Sequence, residues 1–395
     1  MSWISVAYPF ILQVLIVLAA AVVAGEIFEQ LRMPSVAGEL LSGIILGPTF
    51  LGAVSFTSDL QAISEIALFF IIFLIGIEMN TETLRKHVPA ALLLAFTSFV
   101  LPLVLAFGVA AFVLPFGRTS DFIVALAIAV PSISIISVLV MQYELLEKES
   151  GQVILSTVVV ADLVAFVLLA AASSPVPSTV SVVAYTAIFI AAFVLVDWIL
   201  NTRRQEFRKA LVRMGRVARR ENLAYALLIV VGLAVASMFQ LMGLSYIIGA
   251  YFAGLIVHDG LIGKKAFQEV SQTLSKMNGG IFIPLFFGLA GLEANLSSSG
   301  YGLLPGLGVV IGASLVPAVA LTYFSAKKAL RRGDSGGPKQ VALALGGRGA
   351  VGIVVASVAL GDGILNSTAY SLIVIGTLAV SLLVPLLLGR KDVAN

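Results

Sequence analysis

Long apolar runs recur from one end of this chain to the other, and they constrain its fold more than any other feature. Of its residues, 59% are hydrophobic and 11% are charged, and the mean hydropathy is +1.08. Soluble domains do not have that balance, whereas a helix that crosses a bilayer needs about 20 apolar residues. The sequence therefore predicts an all-α integral membrane protein, because helices satisfy every backbone group within lipid.

The apolar runs predict thirteen transmembrane helices. Their expected bounds are 7–28, 34–53, 62–79, 88–115, 121–142, 150–173, 178–200, 221–240, 244–258, 277–295, 302–326, 338–360 and 367–389. Lys and Arg concentrate in cytoplasmic loops, and an outside N-terminus puts nearly all of them on the inner side. We therefore expect a multi-pass protein of the cell membrane with a cytoplasmic C-terminus.

One loop, the connector 201–220, carries eight of the 24 basic residues. A positive-inside stop signal with an interfacial helix explains this cluster better than a nucleic-acid patch does. We therefore expect the lipid bilayer, and no nucleic acid, as its partner.

The chain also contains a weak internal repeat. Gly38 to Gly43 resembles Gly249 to Gly254, 211 residues later, and Ile75 to Asn80 resembles Ala290 to Asn295, 215 residues later. The offset spans an odd number of helices, so the two copies are inverted, as in many secondary transporters. The expected organisation is a single transmembrane domain with one repeat at 34–173 and the other at 244–389.

One carboxylate lies at the centre of an apolar span. Asp162 is surrounded by the sequence VVVADLVAFVLLAA of residues 158–171. A charge at the bilayer centre costs about 2.5–3.5 kcal/mol on insertion scales, so such residues usually serve an ion or proton path.

Two predicted spans contain helix breakers at corresponding repeat positions. In one, Pro131 removes a backbone N–H, and the Ser132 and Ser134 hydroxyls follow it. In the other, glycines surround Arg348 in the sequence GGRG of residues 346–349. Broken backbone at membrane depth persists only where it is buried in protein or lines a cavity, and paired breaks point to a substrate site.

Together these segments resemble the monovalent cation:proton antiporter family, second branch, which includes bacterial Na+/H+ antiporters and K+ efflux systems. The segments that carry the resemblance are 34–52, 69–79, 127–139, 159–166, 244–258, 283–296 and 346–356. The resemblance covers essentially the whole chain in the same helix order.

The resemblance implies a fold of thirteen helices with inverted repeats and two crossed discontinuous helices. It also implies a core domain, a dimerisation domain and a homodimer that works by elevator-like movement. Asp162 matches the family's ion-binding aspartate, Pro131 and Ser132 match the first unwound segment, and Arg348 lies in the second. We expect no resident cofactor and no cytoplasmic nucleotide-binding domain.

Three departures from the family pattern bear on mechanism. Ala161 occupies the position of the first of two aspartates in electrogenic members, and Pro317 is the nearest match to a family lysine. Ala350 replaces the glutamate of the family's PRGEVG motif.

The predicted mechanism is competition of one cation and one proton for Asp162. Its carboxylate would bind Na+ or K+ with help from Ser132, Ser134, backbone carbonyls of the Pro131 break and Thr157. Exchange of one cation for one proton moves no net charge, so electroneutral antiport is expected.

Other interpretations remain open at this point. Arg348 could instead bind a small organic anion in a Na+-coupled symporter, and a non-transporting membrane sensor or channel-like subunit is a third possibility. Glu39 could compensate the charge of Arg348 or line a cytoplasmic gate, whereas Glu78 and Glu293 are interpreted as capping or interfacial groups. An enzyme is not expected, because no nucleophile–base pair, phosphate loop or metal-ligand spacing is found.

Overall fold

The computed structural model describes ten segments of the chain. They are residues 9–31, 33–78, 81–132, 136, 148–172, 223–241, 246–257, 264–295, 301–330 and 337–388. The predicted span at 178–200 and the basic connector 201–220 lie outside these segments.

The described residues form helices and turns without a β-strand, which confirms the predicted all-α class. The α-helices are α1 (Phe10–Gln30), α2 (Ser35–Leu46), α3 (Ser58–Glu78), α4 (Thr81–Ala95), α5 (Leu101–Val113), α6 (Arg118–Ala129), α7 (Glu149–Ala172), α8 (Leu223–Leu241), α9 (Tyr246–Ile256), α10 (Lys264–Met277), α11 (Ile283–Glu293), α12 (Leu304–Ala329), α13 (Pro338–Ala344), α14 (Ala350–Gly361) and α15 (Ser367–Leu388). Two π-helical turns, Phe96–Val100 and Asn278–Phe282, join α4 to α5 and α10 to α11.

Within the described residues, five helical stretches are long and apolar enough to cross a membrane. They are Phe10–Gln30, Ser58–Ile77, His87–Val113, Glu149–Ala172 and Leu304–Ala329. Shorter apolar helices accompany them, including Ala350–Gly361, which is one half of an interrupted span. The total of thirteen spans stays a prediction.

Prolines lie in the first turns of two helices. Pro305 and Pro338 occupy the first turns of α12 and α13, where a missing N–H costs no hydrogen bond. The predicted starts at 302 and 338 agree with these helix starts within two residues.

By contact density the chain divides into two compact units. The first comprises residues 1–61, 80–169 and 284–395, and the second comprises residues 62–79 and 170–283. Asp162 and both predicted breaks belong to the first unit.

In the first unit, α2 and α11 pack backbone against backbone through glycines. A Cβ at Gly43 would collide with the carbonyl of Gly288, and one at Gly291 would collide with the carbonyl of Leu40. Small residues allow such close approach between helices in a membrane.

The second unit contains an equivalent contact between α9 and α3. A Cβ at Gly254 would collide with the carbonyl of Phe73. Gly254 lies 211 residues after Gly43, and Phe73 lies 215 residues before Gly288, which are the offsets of the sequence repeat. An inverted repeat predicts this relation, although the repeat itself stays a prediction.

Helix α12 buries a regular stripe within the first unit. Its buried residues recur mostly at every fourth position, which places them on one face of the helix. They are Gly306, Leu307, Val310, Ser314, Ala318, Thr322 and Ala326. The hydroxyls of Ser314 and Thr322 have no hydrogen-bond partner among the described residues.

Candidate functional site

Helix α6 ends where the sequence predicts the first break. Val130 adopts an extended conformation with φ −68° and ψ 126°, because a residue that precedes proline is disfavoured in the helical region. Helical hydrogen bonding resumes beyond the break, where the Ile136 N–H donates to the Ser132 carbonyl at 3.0 Å.

The second break separates α13 from α14. Helix α13 ends at Ala344 and α14 begins at Ala350. Three glycines occupy the intervening segment. Because glycine destabilises a helix interior more than any residue except proline, these glycines favour a break. The 338–360 span predicted from sequence is thus two short helices.

The two breaks cross each other. Pro131 and Arg348 form an antiparallel bridge, and the Ser132 N–H donates to the Gly347 carbonyl at 3.0 Å. Beside the crossing, a Cβ at Gly352 would collide with the Ala127 carbonyl, so α14 packs directly on the backbone of α6. The crossing brings together segments that lie more than 200 residues apart in the sequence.

Three described helix ends therefore meet at the crossing. The C-terminal ends of α6 and α13 contribute partial negative charge, whereas the N-terminus of α14 contributes partial positive charge. Carbonyl and N–H groups that lack helical partners are available there for ions, water or side chains.

Arg348 stabilises the second break with its guanidinium group. The side chain is 1% exposed. Its Nη1 donates to the Leu345 carbonyl at 3.0 Å and its Nη2 donates to the Ser98 carbonyl at 2.9 Å. Leu345 follows the last turn of α13, so this bond places positive charge at the negative end of that helix.

Ser98 lies in the first π-helical turn, which links α4 to α5. Such turns offset the hydrogen-bond ladder and are frequent at functional sites. The Ser98 hydroxyl is buried without a hydrogen-bond partner among the described residues. Sequence reasoning missed Ser98, because a serine in an apolar helix is ordinary until its neighbours are known.

Asp162 lies in the middle of α7 and is 3% exposed. Its Oδ1 atom has no hydrogen-bond partner in the described part of the chain. Val158, one helical turn earlier, is buried in a cluster with Ile136 and Leu345. Ile136 is the first described residue after the Pro131 break, and Leu345 directly follows α13, before the second break. Residues four apart share a helix face about 6 Å apart along the axis, so Asp162 lies on the same face of α7 as Val158, one turn further along.

The other predicted site residues occupy different environments. Thr157 is fully buried, and its hydroxyl donates to the Val153 carbonyl within α7 at 2.7 Å, which leaves an oxygen lone pair to accept. Ser132 is fully buried at the crossing. Ser134 lies outside the described residues.

Glu39 is buried between α1 and α2. A Cβ at Gly25 would lie 3.2 Å from the Glu39 Oε1 atom, so this carboxylate packs closely against the backbone of α1. Its Oε2 atom lacks a hydrogen-bond partner within the described segments. The Nη1 and Nη2 atoms of Arg348 donate to backbone carbonyls and not to Glu39.

Comparison with known proteins gives a family match over nearly the whole chain. Residues 15–389 match the family "Sodium/hydrogen exchanger, transmembrane". The Na(+)/H(+)-K(+) antiporter GerN of Bacillus cereus is 23% identical over 401 residues, 98% of each chain. The Na(+)/H(+) antiporter of Enterococcus hirae is 24% identical, with 96% of this chain and 98% of that protein covered.

Two further comparisons bear on extent and fold. Cation/H(+) antiporter 15 of Arabidopsis thaliana is 26% identical over 73% of this chain, and this chain spans only 36% of that protein. The sodium proton antiporter MjNhaP1 of Methanocaldococcus jannaschii has the same fold, with a TM-score of 0.69 at 16% identity over 95% of both chains. The resemblance drawn from the motifs is confirmed: this integral membrane protein belongs to the transmembrane sodium/hydrogen exchanger family, whose members are transporters and not enzymes.

Proposed function

We propose that this protein exchanges a monovalent cation, Na+ or K+, for a proton across the membrane. The observation that carries the proposal is the buried Asp162 carboxylate. Its Oδ1 atom has no hydrogen-bond partner among the described residues, and it lies one helical turn from Val158, which packs with Ile136 and Leu345 beside the two breaks. The relatives named as Na+/H+ antiporters support the same activity.

The chemistry follows from one group with two uses. Ionised Asp162 offers oxygen ligands to a hard cation, and the candidates for the remaining ligands are Thr157, the Ser132 and Ser134 hydroxyls and carbonyls of the break. When Asp162 is protonated, the site is neutral and needs no cation. The cation and the proton then exclude each other, and alternating access to the two faces converts that competition into exchange.

The proposed stoichiometry is one cation for one proton. Ala161 precedes the aspartate where electrogenic relatives of the resembled family have a second carboxylate. One carboxylate carries one charge, so the loaded and the protonated sites are both neutral. We further propose a homodimer with the N-terminus outside, on the resemblance and on the distribution of Lys and Arg.

The competing anion symporter has less support. Arg348 would have to present its guanidinium to a substrate, but Nη1 and Nη2 already donate to two buried carbonyls. Of its three nitrogens only Nε has no partner among the described residues. The guanidinium therefore acts as a structural clamp on the break.

The test uses liposomes that contain the protein and a trapped pH dye, with Na+, K+ or Li+ added in turn. We expect the cation to move protons in the wild type and Asp162→Asn to abolish the response. Asp362→Asn, which removes an exposed carboxylate after α14, is the control and should retain exchange. Exchange that survives in Asp162→Asn would overturn the role of this residue, and no response to any cation in the wild type would favour the symporter.

A further inference from the structure

A cavity of about 760 Å³ lies at the C-terminal end of α2, and no residue of the crossing lines it. It is formed by the loop after α2, the C-terminal end of α11 and the start of α15. Its lining consists of Pro48, Ser55, Phe56, Leu292, Glu293, Asn295, Asn366, Ser367 and Thr368. None of these residues belongs to the site proposed above.

The lining has the chemistry of a site for a hard cation. Glu293 supplies one carboxylate, and amide or hydroxyl oxygens come from Asn295, Ser55 and Thr368, with no Lys or Arg among the lining residues. Glu293 is also the last residue of α11, so the partial negative charge of that helix end adds to the carboxylate. Oxygen ligands of this kind suit alkali and alkaline-earth cations.

Glu293 lies beside a buried tyrosine. Tyr370 is fully buried, and its hydroxyl donates to the Ala290 carbonyl at 3.1 Å. The hydroxyl also interacts electrostatically with the side chains of Glu293 and Ser357. Ser357 belongs to α14, so these interactions link the carboxylate to the helix that begins at the second break.

The chain directly after Glu293 is fixed as well. The Thr49 hydroxyl donates to the Ala294 carbonyl at 3.0 Å, and the Asn295 N–H donates to the Ser371 hydroxyl at 2.9 Å. The carboxylate therefore has a defined position in the cavity wall. The sequence predicted that Glu293 is a capping or interfacial group, and it gave no sign of the cavity that this residue lines.

We propose that the cavity at Glu293 is a second, weaker site for the monovalent cation, where the ion binds at one face of the membrane before it reaches or after it leaves Asp162. This inference rests on the proposed function for the identity of the ion. A single carboxylate favours a monovalent cation, because calcium sites in proteins draw on several carboxylate and carbonyl oxygens.

The first test compares cation uptake from the two faces in right-side-out and inside-out membrane vesicles. For Glu293→Gln we expect roughly a tenfold rise in KM for Na+ from one face, with kcat unchanged, because uniform binding is lost. The positive-inside orientation makes that face the external one. Asp59→Asn removes an exposed carboxylate at the start of α3 and should leave both KM values unchanged.

Tyr370→Phe provides a second variant that keeps the carboxylate. Tyr370 acts as a positioning residue, so its loss should raise KM from the same face by a smaller factor. An equal rise in KM from both faces, or no rise in Glu293→Gln, would overturn the proposal.

A binding measurement separates this proposal from the proposed function. Purified Asp162→Asn protein should still broaden the ²³Na NMR line of added Na+, because the second site remains, and Asp162→Asn/Glu293→Gln should not. Asp162→Asn/Asp59→Asn serves as the matched control and should behave like Asp162→Asn alone. If Asp162→Asn gives no more broadening than empty micelles, or if Mg²⁺ binds in place of Na+, the second site fails even where exchange at Asp162 stands.

Discussion

At the residue scale, the Arg348 side chain stabilises the second break by donating hydrogen bonds to two buried backbone carbonyls. A guanidinium group presents several N–H donors in a fixed fork, so it can hold the Leu345 and Ser98 carbonyls at once. Lysine carries the same charge on a flexible stem without that fork. The substitution Arg348→Lys therefore tests geometry while the buried charge is kept.

For Arg348→Lys we expect the free energy of unfolding to fall by about 1–3 kcal/mol, because one charge-assisted hydrogen bond is lost and its carbonyl stays buried. Cation–proton exchange should fall at least as strongly. Thermal unfolding in detergent and the liposome assay measure the two effects. Arg118→Lys, at the exposed start of α6, should change neither, and equal stability of the two variants would contradict the clamp.

Residue type alone indicated some site residues and concealed others. Asp162, Pro131 and Arg348 stand out because charge and helix breakers are costly in lipid. Ser98 and Thr322 do not stand out, since a hydroxyl can bond to its own helix and is common in apolar spans. Only the packing of neighbouring helices reveals that these hydroxyls are buried.

At the scale of elements, close contact between α14 and α6 holds the crossing together. Gly352 faces the Ala127 carbonyl with no room for a Cβ atom. Gly361 is at the other end of α14 and has open space around it. The two glycines share a helix and differ in what surrounds them, so they form a matched pair for substitution.

We expect Gly352→Ala to lower the free energy of unfolding by about 1–3 kcal/mol through overpacking, with loss of exchange as the breaks separate. Gly361→Ala should be neutral or stabilising by up to about 1 kcal/mol, because alanine favours helix. Melting temperatures in detergent compare the two. If both variants melt alike, the α6–α14 contact is not what fixes the crossing.

Helix bounds were predictable where hydropathy changes sharply and not elsewhere. The predicted span 150–173 agrees with α7 at Glu149–Ala172. The predicted span 277–295 instead starts at the last residue of the polar helix α10, which continues through a π-helical turn into α11. Hydropathy detects the apolar part of such a helix but not its amphipathic beginning.

For the whole molecule, the proposed stoichiometry predicts that transport leaves the membrane potential unchanged. Liposomes with a potential-sensitive dye should show no signal during Na+-driven or K+-driven exchange that a pH dye records in parallel. A K+ gradient with valinomycin provides the positive control for the dye. A potential that develops with exchange, and that Asp162→Asn abolishes, would show that one carboxylate is not enough.

The sequence by itself determined that this chain lies in a membrane, that its segments are helical, that two helices contain breaks, and that another helix carries a carboxylate in its middle. These properties depend on local composition, because hydropathy and helix breakers act over a few turns. The tertiary structure decided that Pro131 meets Arg348, that Arg348 binds the Ser98 carbonyl, and that Glu293 lines a cavity. Those contacts join residues far apart in the chain, and only the packing of whole helices determines which of them meet.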